Sequence, residues 1–110
     1  MPAQIVSPEN ANSPRQRWSL IDILDDGGND KGALAIGRWD NKLVLAMRWN
    51  GDEENPIGNP QSRGLATWFI LPEKYIEAVL RHGGLRSDKL SLARSFFPEK
   101  PFVIEGDAQP

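Results

Sequence analysis

The sequence predicts an α+β fold: an antiparallel, curved four-stranded sheet followed by a helix, with a short second helix toward the C-terminus. Three observations predict it. Two runs of strand-forming residues, 33–39 and 42–49, flank the two-residue turn Asp40-Asn41. A third run, 64–71, ends at Pro72. Beyond Pro72 the apolar residues recur at helical rather than strand spacing.

In chain order, residues 1–14 hold three prolines and few apolar side chains and read as a disordered arm. A single domain then spans 15–97, and 98–110 reads as a flexible tail. Residues 18–24 form a first strand, with Trp18 and Leu20 facing one way and Ile21 and Ile23 the other. The Asp/Gly/Asn-rich stretch 25–32 is a turn. Placing Trp39 opposite Lys42 pairs Arg38 with Leu43, Ile36 with Leu45 and Leu34 with Met47. One hairpin face then collects Leu34, Ile36, Leu43, Leu45, Met47 and Trp49, with Arg38 as its polar exception. The other collects Ala33, Ala35, Gly37, Trp39, Lys42, Val44, Ala46 and Arg48. Residues 50–62 form a long polar connection with Pro56 and Pro60. Residues 64–71 supply the fourth strand. Pro72 suits the first position of a helix over 72–82, whose stripe is Tyr75, Ile76, Val79 and Leu80. Glu77 and Arg81 can pair on its exposed side, and Gly83-Gly84 ends it. Ser87 is placed to cap a second helix through about residue 97, with Leu90, Ala93 and Phe97 at helical spacing.

The 110 residues fit one compact domain. With no cysteine the chain has no thiolate chemistry, which fits a cytoplasmic setting. No apolar run is long enough to span a membrane, and residues 1–12 do not have the pattern of a signal peptide. The net charge of −2 is unevenly spread. Acids gather in the loops, at Asp22, Asp25, Asp26 and Asp30 in or beside one Gly-rich turn and again at Asp52, Glu53 and Glu54. The ordered elements are locally basic: residues 55–94 carry six basic side chains against three acidic ones.

No catalytic residue, metal site or cofactor is expected. The one histidine, His82, falls at a helix end, where the helix dipole favours it. Ser62 and Ser91 have no triad partner. The acids 25–30 miss the spacing of a calcium-binding loop and its closing glutamate.

The small-residue face of the hairpin is the candidate binding surface. Its alanines and glycine form a floor from which Trp39, Lys42 and Arg48 rise. A sheet face carrying a ring and cations suits single-stranded DNA or RNA, because bases stack on the ring and the cations track phosphates. Arg38, Arg63 and Trp68, with Arg15 and Arg17, extend it. Trp39 and Trp68 can equally be core or interface residues, since small residues also mark close packing. Trp49 is assigned to the core.

The segments Lys31-Gly-Ala-Leu-Ala-Ile-Gly-Arg-Trp-Asp-Asn41, Leu43-Val-Leu-Ala-Met-Arg-Trp49 and Arg63-Gly64, with the helix that follows, resemble the PC4-like single-stranded DNA-binding domain of transcriptional coactivators and its small bacterial relatives. The resemblance covers residues 19–80. It implies a homodimer that binds single strands on a curved sheet and serves transcription regulation. Arg38, Trp39, Lys42, Arg48 and Arg63 would lie on or beside the binding strands, and Tyr75, Ile76, Val79 and Leu80 would make the dimer contact. The competing expectation is a protein-protein interaction module that uses the hairpin edge, the Pro-rich loop or the helix stripe.

Overall fold

The computed structural model describes residues 4–100. Its strands are β1 (Trp18–Asp26), β2 (Gly32–Trp39), β3 (Lys42–Trp49), β4 (Gln61–Ser62), β5 (Leu65–Ala66) and β6 (Phe69–Ile70), and its helices are α1 (Ile76–His82) and α2 (Ser87–Phe96). The main sheet is antiparallel and four-stranded, in the order β1-β2-β3-β6, while β4 and β5 form a separate small hairpin.

The β2–β3 hairpin has the expected register, from Trp39 opposite Lys42 through Leu34 opposite Met47. Asp40 and Asn41 both take positive φ, 50° and 68°, as a type I′ turn requires. Strand β1 is less regular: its pairing with β2 shifts between Leu20 and Asp22, and again between Ile23 and Asp25.

The expected fourth strand, 64–71, is split. Arg63 and Gly64, both at positive φ, turn β4 into β5. The backbone then leaves that hairpin, and β6 pairs with Ala46 and Met47. Between them Trp68 drops into the interior and donates its indole N–H to the Ala11 carbonyl at 2.6 Å. A ring held that way interrupts a single extended run. The helices also differ in detail. Pro72 is extended, so a 3₁₀ turn over Glu73–Tyr75 precedes α1. Arg86 rather than Ser87 holds the cap position of α2 and makes no side-chain capping bond; its guanidinium pairs with Asp88 at 2.9 Å.

Both faces of the sheet are covered. On one, Leu34, Ile36 and Leu45 pack with Leu24, Leu71, Ile76, Leu80 and Ala93. On the other, Ala33, Ala35, Val44 and Ala46 pack under Ala11, Trp18, Ala66 and Trp68. A Cβ at Gly37 would lie 2.6 Å from the Trp18 ring, which is why this face needs small residues. The N-terminal segment supplies part of the cover, contrary to the expected disordered arm. Pro8–Asn10 is a 3₁₀ turn, the Val6 N–H donates to the Pro56 carbonyl at 2.8 Å, and Ala11 is fully buried. The compositional reading missed this because prolines disfavour regular structure but not packing. The ordered body also runs past residue 97: the Lys100 N–H donates to the Glu77 carboxylate at 3.1 Å. The remainder of the expected tail, 101–110, lies outside the described residues, as do residues 1–3.

Candidate interaction groove

The expected binding floor is interior. Arg48 is only 4% exposed and Trp68 only 7%. The Arg48 guanidinium donates to the carbonyls of Thr67 and Ile57 and sits 5.9 Å from the centre of the Trp68 ring. Burial pulls its pKa below the ordinary guanidinium value. Trp68 packs against Trp18 at 5.5 Å between ring centres. Neither side chain is available to a base or a phosphate, so both are structural residues here. Trp39 is half-buried at the margin of the same core, beneath the Arg17 guanidinium at 5.5 Å. Arg38, Lys42 and Arg63 are exposed but do not converge. Alternation sends Arg38 and Lys42 to opposite faces, Lys42 pairs with Glu73 at 3.7 Å, and Arg63 stands in the turn of the separate hairpin.

The helix stripe divides as well. Ile76 and Leu80 are buried in the chain's own core and cannot form a dimer surface. Tyr75 and Val79 instead face a groove.

That groove lies beside the part of β3 that the helices leave exposed. Strand β3 has eight residues and extends about 26 Å at ~3.3 Å per residue. Helix α1 has seven and extends about 10 Å. Among the described residues the helical layer covers the sheet over Leu34, Ile36 and Leu45 and leaves Met47 and Trp49, toward the end of β3, exposed. The uncovered space, about 1150 Å³, is bounded by Met47, Trp49, Phe69, Leu71, Tyr75 and Val79. Among the described residues, five large apolar side chains are exposed: Trp49 (64%), Leu65 (57%), Phe69 (56%), Tyr75 (48%) and Met47 (41%). All but Leu65 line this one groove. Trp49 was expected in the core. Its alternation is right for the apolar face, but it stays 64% exposed among the described residues.

The walls are tied in place. Behind α1, Glu77 accepts from both terminal nitrogens of Arg94, at 2.7 and 2.9 Å, and from Arg81 at 3.1 Å. The Arg94 hydrogen bonds, with smaller contributions from the Lys100 N–H and Arg81, outweigh desolvation and hold the Glu77 carboxyl at a pKa of about 2. At the sheet end, buried Asn50 donates to Asp26 at 2.8 Å and to the Gly28 carbonyl at 2.9 Å. The Asn50 N–H reaches the Lys31 carbonyl at 2.8 Å. These bonds fix the 27–31 turn beside Trp49.

The charged side chains at the groove are Asp25 and Lys31, with His82 at the end of α1. Arg48 also borders it, but its guanidinium is committed to the carbonyls on the far face. Among the described residues no group of three or more His, Cys, Asp or Glu side chains is placed to hold a metal ion, and no helix is long and apolar enough to cross a membrane. The groove is suited to burying apolar and aromatic groups. No family model matches this chain, nor does any curated protein or solved structure, so the resemblance to the PC4-like domain rests on the quoted segments alone.

Proposed function

We propose that this chain is a non-enzymatic protein-interaction module whose working surface is the groove between β3, β6 and α1. One observation carries the reading: Met47, Trp49, Phe69 and Tyr75, each substantially exposed, converge on a single concave surface. Exposed apolar surface of this kind marks a place where another molecule is buried, and aromatic side chains with Met are the residues enriched at such contacts. The mixed, sparse charge at the rim supports a protein rather than a polyanion. A cytoplasmic setting belongs to the same proposal and rests on the cysteine-free composition.

A peptide-display selection on the full chain tests this. Selected peptides are expected to bind wild type and to lose most of their affinity for Trp49→Ala and Phe69→Ala, both exposed positions whose substitution spares the core. Peptides that bind both variants as well as wild type would place the working surface elsewhere.

A second reading, single-stranded nucleic acid, is favoured by the three rings in the groove, which can stack bases. It makes a different prediction. Short oligonucleotides should quench tryptophan fluorescence at low salt and lose that effect steeply as salt rises. Quenching of that kind, abolished by Trp49→Ala, would replace the protein partner with a nucleic acid.

A further inference from the structure

The groove has a property that narrows its occupant. It contains both a projection and a receptacle. Among the described residues Trp49 is the most exposed of the large apolar side chains and stands at the open end of the sheet, while Tyr75, Val79 and Leu85 line the other wall. Its rim carries one free acid and one free base: Asp25 and Lys31 are both exposed, and neither has an ion-pair partner among the described residues. A rim with one charge of each sign offers little to a strongly charged ligand. It is instead complementary to itself. In a twofold contact, residue i of one copy meets residue j of the other and j meets i, so an acid and a base on the same rim neutralise each other twice.

We infer that the occupant of the groove is a second copy of this chain, in a twofold dimer in which Trp49 of each copy enters the other's groove and Asp25 of each faces Lys31 of the other. This rests on the reading of the groove as a protein-interaction surface and names the partner. The contact buries the four exposed apolar side chains at its centre and leaves the two charge pairs at its edge. That is the usual arrangement of an apolar core and a polar rim. It also enlarges the apolar interior of a chain short enough for its own core to be limited.

Charge swaps test it without touching the core. Sedimentation equilibrium of the full chain, from micromolar to millimolar concentration, is expected to show a reversible monomer–dimer equilibrium. Asp25→Lys alone makes both cross-contacts Lys against Lys, and Lys31→Asp alone makes both Asp against Asp. Each is expected to raise the dimer dissociation constant by about tenfold or more, since facing like charges are strongly unfavourable. Mixing the two variants restores both pairs, so the mixture should dimerise where neither variant does. Trp49→Ala should be monomeric throughout. A wild-type chain that stays monomeric at every concentration overturns the inference. So does a mixture no more associated than its parts. If the chain is monomeric while selected peptides still require Trp49 and Phe69, the second copy is wrong and the interaction module stands. If those peptides ignore both residues, the module reading itself falls.

Discussion

Arg48 is a cation removed from water with no carboxylate paired to it among the described residues. Its hydrogen bonds go to two carbonyls that belong to different segments, Ile57 in the loop after β3 and Thr67 just before Trp68. Replacing it with Met keeps much of the volume and leaves both carbonyls without that donor. Each unsatisfied buried group costs about 1–3 kcal/mol, so Arg48→Met is expected to lower unfolding free energy by at least ~1 kcal/mol in a urea titration. Trp68→Phe keeps an aromatic ring, smaller than the indole, and removes the donor to the Ala11 carbonyl. A loss of about 1 kcal/mol is expected, with proteolytic cleavage appearing first in the N-terminal segment. Residue types alone did not separate these roles. A Trp and an Arg on a small-residue strand face suit a ligand platform and a covered core equally. What decides is the cover, and the cover comes from the distant residues Ala11, Trp18 and Ala66.

At the level of elements, the hairpin was the most legible part of the chain. Its two-residue turn fixes the register, and a one-residue slip would exchange the two faces. The turn is correspondingly sensitive. Asn41 sits at φ 68°, a conformation that costs a β-branched residue about 1–2 kcal/mol. Asn41→Val should therefore reduce stability by that amount while Asn41→Gly stays close to wild type, as thermal melts of the two variants can show. The fourth strand was legible only in part. Its alternation is real, but Trp68 turns inward for a tertiary reason that periodicity does not record. The covering of the apolar face was legible as a stripe and not as an extent: Ile76 and Leu80 share a core with Ile36 and Leu45, while Trp49 stays largely exposed among the described residues.

For the molecule as a whole, one carboxylate, Glu77, ties α1 to Arg94 of α2 and to the backbone at Lys100. The pKa of Glu77 is depressed in the folded protein, so its contribution is present above the ordinary carboxylate value of 4.5 and disappears as the pH falls through about 2. Acid titration followed by circular dichroism is expected to show wild type losing stability across that window. Glu77→Gln, already without the charge, should start less stable and lose less over the same range. The shape of the sheet has a further consequence. A sheet can recruit strands at either margin, and chains that do so grow into fibres. In this molecule one margin is β6, two residues long, and the other is β1, displaced twice from regular pairing and bearing Asp22, Asp25 and Asp26. Neither offers a long, even row of backbone groups to a newcomer. A concentrated solution of this protein should therefore stay clear of amyloid-dye-positive material, because the sheet is built to terminate.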